Sequence, residues 1–137
     1  MTRTGRSGYL TDIMVNNHSL VADEPLDLGG TNLGPTPFEY LTSALGACTS
    51  MTLRMYADRK QWPLESVNVN LKHKKIPAAE CETCETKQGM LHQFDREIEL
   101  EGPLDEDQKK RLKQIADRCP VHRTLKSEVI INTKLKE

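Results

Sequence analysis

The chain has 137 residues, 4% of them aromatic, and a formal net charge of -1 with both signs spread along its length. A chain of this size builds one domain around a modest, mainly aliphatic core, and its charge balance offers no basic stripe for nucleic acid or an anionic membrane. Met1 to Leu10 lack the apolar centre of a signal peptide and no run approaches the roughly 18 apolar residues of a membrane span, so a soluble, cytoplasmic protein is expected.

Ser7 to Val15 and Ser19 to Ala22 read as short strands separated by the turn-prone Asn16-Asn17, with Arg6 opening the first. The glycine- and proline-rich stretch from Asp23 to Pro35 predicts an irregular loop. Thr36, Pro37 and Glu39 then give a helix start: a threonine cap, a proline where no N–H is missed, and a glutamate that closes a capping box. Leu41, Ala44, Leu45, Cys48, Met51, Thr52 and Met55 recur at spacings of three and four, so the spacing predicts one buried face on a helix running to about Arg59, with Cys48 pointing inward. Ser43, Ala44, Gly46 and Ala47 leave the turn before Cys48 with little bulk, which predicts a close neighbour there.

Beyond Gln61-Trp62-Pro63, the residues Val67, Val69, Leu71 and His73 alternate with polar ones as in a half-buried strand. Phe94, Ile98 and Leu100 set against Arg96, Glu97 and Glu99 predict a second strand that pairs antiparallel with the first. The stretch between them, with Cys81-Glu-Thr-Cys84, reads as an exposed connection. Asp105 caps a second helix with acids in its first turn, and Leu112, Ile115, Ala116 and Cys119 form its apolar stripe. Pro120 stops or redirects the chain, a short turn follows, and Glu128 to Leu135 reads as a final strand with Val129, Ile131, Thr133 and Leu135 on one face. This order of elements is α+β, in a single domain over residues 1–137.

Four cysteines are too few for a disulfide scaffold, and in a reducing compartment they point to catalytic, redox or metal chemistry. Cys48 and Cys119 each sit on a buried helix face. Side-by-side helices would bring their sulfurs together; otherwise the two are unrelated core thiols, inert because burial raises a thiol's pKa. His122 and Arg123 would face Cys119 if the turn after it is helical, either lowering its pKa or lying at the surface. Cys81-x-x-Cys84 is half a zinc site that His73, His92 or another protomer would have to complete; it also reads as a redox dithiol or as unpaired surface thiols.

The segment Gly29-Gly-Thr-Asn-Leu-Gly-Pro-Thr-Pro-Phe-Glu-Tyr-Leu41, followed by Leu45-Gly-Ala-Cys-Thr-Ser-Met-Thr52 and by Ala116-Asp-Arg-Cys-Pro-Val-His-Arg-Thr-Leu125, resembles the OsmC/Ohr family of thiol-dependent hydroperoxide reductases, in its broad OsmC-like branch. The resemblance implies an OsmC-like α+β fold with antiparallel sheets wrapped around two central helices in an interlocked homodimer, and active sites at the dimer interface. It implies a peroxidase for organic hydroperoxides, and for hydrogen peroxide as a further oxidant, with no cofactor and no metal. Cys48 matches the peroxidatic cysteine that becomes a sulfenic acid, and Cys119 the resolving cysteine that condenses with it to a disulfide, which a cellular dithiol reductant resets. Arg6 resembles the arginine that keeps the peroxidatic thiolate charged. The glutamate that holds this arginine falls at Phe38 by count from Cys48, whereas Glu39 lies one residue later, about 100° around the helix. An OsmC-fold module that binds a ligand or is stabilised by metal, with little peroxidase activity, is the alternative.

Overall fold

Asn16 takes the left-handed backbone conformation (φ 51°) that asparagine tolerates better than most residues, and the turn it opens joins β2 (Thr11–Val15) to β3 (His18–Ala22) in antiparallel register. The structure, a computed structural model, describes all 137 residues. They fall into two compact units, Met1–Ser43 and Ala44–Glu137. In the first unit a short β1 (Thr2–Thr4) pairs with the other edge of β2. The strand expected from Ser7 starts only at Thr11, because the chain bends over residues 6–9 and Gly8 takes φ +71°. Arg6 therefore lies exposed on that bend and does not open a strand.

The loop after β3 is organised by buried Asp23. Its carboxylate accepts the backbone N–H groups of Glu24 (2.8 Å), Thr31 (3.2 Å) and Leu33 (3.2 Å) and the Thr31 hydroxyl. The Thr31 hydroxyl foremost, with these backbone donors, outweighs burial and holds the Asp23 pKa below the ordinary aspartate value. Gly30 is required here, since a Cβ would stand 1.9 Å from the Glu24 carbonyl oxygen.

Helix α1 (Pro37–Lys60) starts with the expected capping box: Glu39 N–H donates to Thr36 Oγ1 (3.2 Å) and Thr36 N–H donates to Glu39 Oε2 (3.0 Å). Its buried face differs from the expected one. Leu45, Gly46, Thr49, Leu53, Tyr56 and Ala57 are buried, while Met51 and Met55 remain 63% and 66% exposed and Leu41 is exposed as well. The buried stripe is rotated by about one residue, or 100°, and Cys48 sits at its border, partly exposed.

In the second unit β4 (Ser66–Pro77) and β5 (Met90–Glu101) form one antiparallel hairpin, paired from Ser66–Glu101 to Pro77–Met90. Leu53, Tyr56, Ala57, Leu64, Leu104, Leu112, Ile115 and Ala116 make the core, with Val67, Ile98 and Leu100 of the hairpin packed against it. Gly46 lets α1 approach the hairpin, because a Cβ there would meet Leu71 Cδ1 at 3.0 Å. Helix α2 (Glu106–Ala116) carries the Asp105 cap with a full capping box to Gln108, and α3 (Pro120–Leu125) follows. Two expectations are corrected. Arg96 shares the inner face of β5 with Phe94, Ile98 and Leu100 rather than the outer face with Glu97 and Glu99. Residues 128–137 form no strand; Ile130, Ile131 and Leu135 are at least four-fifths exposed, since alternation gives a strand only where another strand supplies the ladder, and none in this chain does.

Candidate active site

Cys119 lies beside Cys48, at the junction where α2 ends and α3 begins. It is the N-cap of α3, with Pro120 at the first helical position, and its sulfur accepts the His122 N–H at 3.4 Å. The Cys48 and Cys119 side chains lie near enough that each shifts the other's ionisation. Both are free thiols; Cys119 is fully buried and Cys48 is reached by solvent.

Thr49, next to Cys48 and fully buried, joins the pair to a cation. Its hydroxyl lies 2.7 Å from the Leu45 carbonyl and accepts Arg96 Nη1 at 3.0 Å, and it favours the charged form of Cys119. A hydroxyl has one proton, so Thr49 donates either to Leu45 O or to the Cys119 sulfur, and a charged sulfur draws it. Arg96 also donates to the Ala116 carbonyl (3.3 Å) and to Asp117 Oδ1 (2.8 Å), and its side chain is only 13% exposed. The guanidinium thus spans α1, β5 and the end of α2.

Burial pushes the Cys48 thiol up, and its hydrogen bond with Cys119 adds to the rise. Burial also acts against a Cys119 thiolate, but donors from the Cys48 thiol, the His122 N–H, the Thr49 hydroxyl and the Val121 N–H outweigh it and hold Cys119 below the usual thiol value. Cys48 therefore holds its proton more tightly than Cys119 does. Burial and then the nearby Arg96 lower the His122 pKa, so His122 serves Cys119 through its backbone N–H rather than as a cation, and Arg123 lies at the surface.

Arg6 and Glu39 belong to the first unit, Arg6 exposed and Glu39 engaged in its capping box. Cys81 and Cys84 are bonded to each other, and no group of three or more His, Cys, Asp or Glu of this chain is arranged to hold a metal ion. His73 and His92 instead stack at 5.2 Å on the hairpin, with Nε2 and Nδ1 2.9 Å apart. Arg96 and Thr49 are the site residues that sequence reasoning passed over. The signal for Arg96 was its phase: it shares the parity of Phe94, Ile98 and Leu100.

An α+β chain whose long helix and helix bend present a thiol pair to each other defines the class. Residues 30–134 match the model of the OsmC-like protein family, and the chain belongs to that family. No curated protein matches the chain by sequence. Among solved structures it is similar to an OsmC-like protein of unknown function from Vibrio cholerae (11% identity, 93% of this chain and 92% of that one, TM-score 0.69). It is also similar to an OsmC-like protein from Mycoplasma pneumoniae (21%, 86% and 79%, 0.67) and to the organic hydroperoxide resistance protein OsmC from Legionella pneumophila (18%, 91% and 87%, 0.65). No helix is long and apolar enough to cross a membrane.

Proposed function

We propose that the protein is a thiol peroxidase that reduces organic hydroperoxides through Cys48 and Cys119. The observation that carries this reading is the close approach of two free thiols far apart in sequence, near enough that each shifts the other's ionisation. Cys48, the solvent-reached sulfur, attacks the distal oxygen of the hydroperoxide; the O–O bond breaks and the departing alkoxide leaves as the alcohol with the proton given up by the Cys48 thiol. Cys119, the thiol that gives up its proton more readily, then attacks the Cys48 sulfenic acid; an S–S bond forms, and hydroxide leaves as water with the proton Cys119 releases. Two thiols and one hydroperoxide become one disulfide, one alcohol and one water. A cellular dithiol restores both thiols in a reducing, cytoplasmic setting.

Within this reading Arg96 is the positioning cation of the resolving half, acting on Cys119 through Thr49. Arg6 keeps the role the family resemblance gives it, activating Cys48, and Glu39 that of its orienting carboxylate. The working form is a homodimer: the exposed apolar residues Leu41, Met51 and Met55 of α1, and the unpaired alternating residues 128–135, are what a second copy would cover. The test is peroxide consumption in a single turnover with an organic hydroperoxide. Cys48→Ser is expected to abolish it, and Cys119→Ser to stop at a sulfenic acid that a sulfenic-acid-specific reagent traps. Unchanged consumption by Cys48→Ser refutes the assignment, and a parent that consumes no peroxide favours the ligand-binding alternative.

A further inference from the structure

The Cys81–Cys84 disulfide has no evident structural task. It lies in the connection from Ala78 to Gly89 at the far end of the β4–β5 hairpin and spans a sequence separation of 3, with Cα atoms 5.5 Å apart. The stabilisation a disulfide gives grows with the loop it closes, and this loop is about as short as loops come. It does not tie the two strands together. The paired ladder does that, and the Ala78 N–H bonded to the Gly89 carbonyl at 2.8 Å closes the base of the connection. Both cysteines are half-buried, and residues 85–89 beyond them are exposed, so a thiol of another molecule can approach the bond. Adjacent cysteines spaced Cys-x-x-Cys form disulfides of the exchangeable kind, whose thiolates attack and leave readily.

Reach limits what this pair can serve. The hairpin packs on α1 at the Leu71–Arg96 rung, where Gly46 and Thr49 touch it, and the last rung, Pro77–Met90, is six residues farther along. Six residues of strand extend about 20 Å, so the tip cannot exchange directly with the thiol pair of its own chain.

We propose that Cys81–Cys84 is a second redox centre, which takes two electrons from a cellular dithiol and passes them to the Cys48–Cys119 disulfide of another protomer. The proposal rests on the peroxidase reading. In the first exchange a thiolate of the cellular dithiol attacks one sulfur of the Cys81–Cys84 bond; its second thiol then resolves the mixed disulfide, leaving the donor oxidised and both tip thiols reduced. In the second, a tip thiolate attacks the Cys48–Cys119 bond and its neighbour completes the transfer, restoring the tip disulfide and freeing Cys48 and Cys119.

Two measurements on the full chain test this. First, Cys48→Ser/Cys119→Ser protein, which keeps only the tip pair, is equilibrated with graded ratios of reduced to oxidised dithiothreitol and the tip thiols are counted by alkylation and mass. A reversible change between none and two tip thiols supports the proposal, and a disulfide that stays closed throughout overturns it. Second, Cys81→Ser/Cys84→Ser is compared with the parent in one oxidation by hydroperoxide and in steady turnover with a thioredoxin-type reductant. The single oxidation is expected to be unchanged and turnover to fall about tenfold or more; turnover at the parent's rate overturns the relay. A parent that fails even the single oxidation overturns the peroxidase reading and the relay with it, and the first measurement still decides whether the tip is a redox centre.

Discussion

Arg96 fixes three things at once: the Thr49 hydroxyl, the last carbonyl turn of α2 and Asp117. Removing it in Arg96→Met takes away the cation behind the Thr49–Cys119 contact, so the Cys119 thiolate loses support and Cys48–Cys119 disulfide formation near neutral pH is expected to slow about tenfold. Arg96→Lys keeps the charge without the fork that spans three partners and should recover only part of the rate. A thiolate titration followed by ultraviolet absorbance distinguishes positioning from mere folding. The parent should show one group ionising below the ordinary thiol value and a second above it, and Arg96→Met should move the lower one upward. A lower step that stays in place would remove Arg96 from the account. Asp23 is a second residue whose charge matters. Its folded pKa is depressed, so it contributes stability above the ordinary carboxylate value that is lost as pH falls through the depressed one. Asp23→Asn should therefore lower Tm at neutral pH more than Asp27→Asn does, with the gap from the parent closing in acid.

At the scale of elements, much was legible in the sequence because local chemistry decides local structure. The capping box at Thr36–Glu39, the Asp105 cap, the turn at Asn16 and the antiparallel pairing of the β4–β5 hairpin all follow from residues that satisfy their own backbone. What failed depended on which neighbour arrives. Spacing places Met51 and Met55 on a stripe with Leu45, but only packing decides where the stripe's centre lies, and the hairpin packs on the side marked by Gly46, Thr49 and Leu53. Arg96 was misplaced for a related reason: as a charge it reads as outward-facing, although its position along the strand put it inside. Gly46 tests the contact between α1 and the hairpin. Gly46→Ala gains helix propensity and meets only the mobile end of Leu71, so it should be near neutral, whereas Gly46→Leu overpacks the contact and should cost about 1–3 kcal/mol in a denaturant titration. A Gly46→Leu protein as stable as the parent would mean that the two elements do not press together there.

For the whole molecule, the proposed dimer accounts for apolar surface that one chain leaves open. A chain ending after Ser127 lacks Ile130, Ile131 and Leu135, and analytical ultracentrifugation should show the parent as a dimer and this shortened chain shifted toward monomer. A parent that sediments as a monomer at micromolar concentration would contradict the homodimer. The central claim, that Cys48 and Cys119 react as one unit with a hydroperoxide, is tested most directly by disulfide mapping after a single equivalent of an organic hydroperoxide. The expected result is one new Cys48–Cys119 link and the loss of both free thiols, with Cys81–Cys84 still paired. Consumption of the peroxide with Cys48 and Cys119 both still reduced would contradict it.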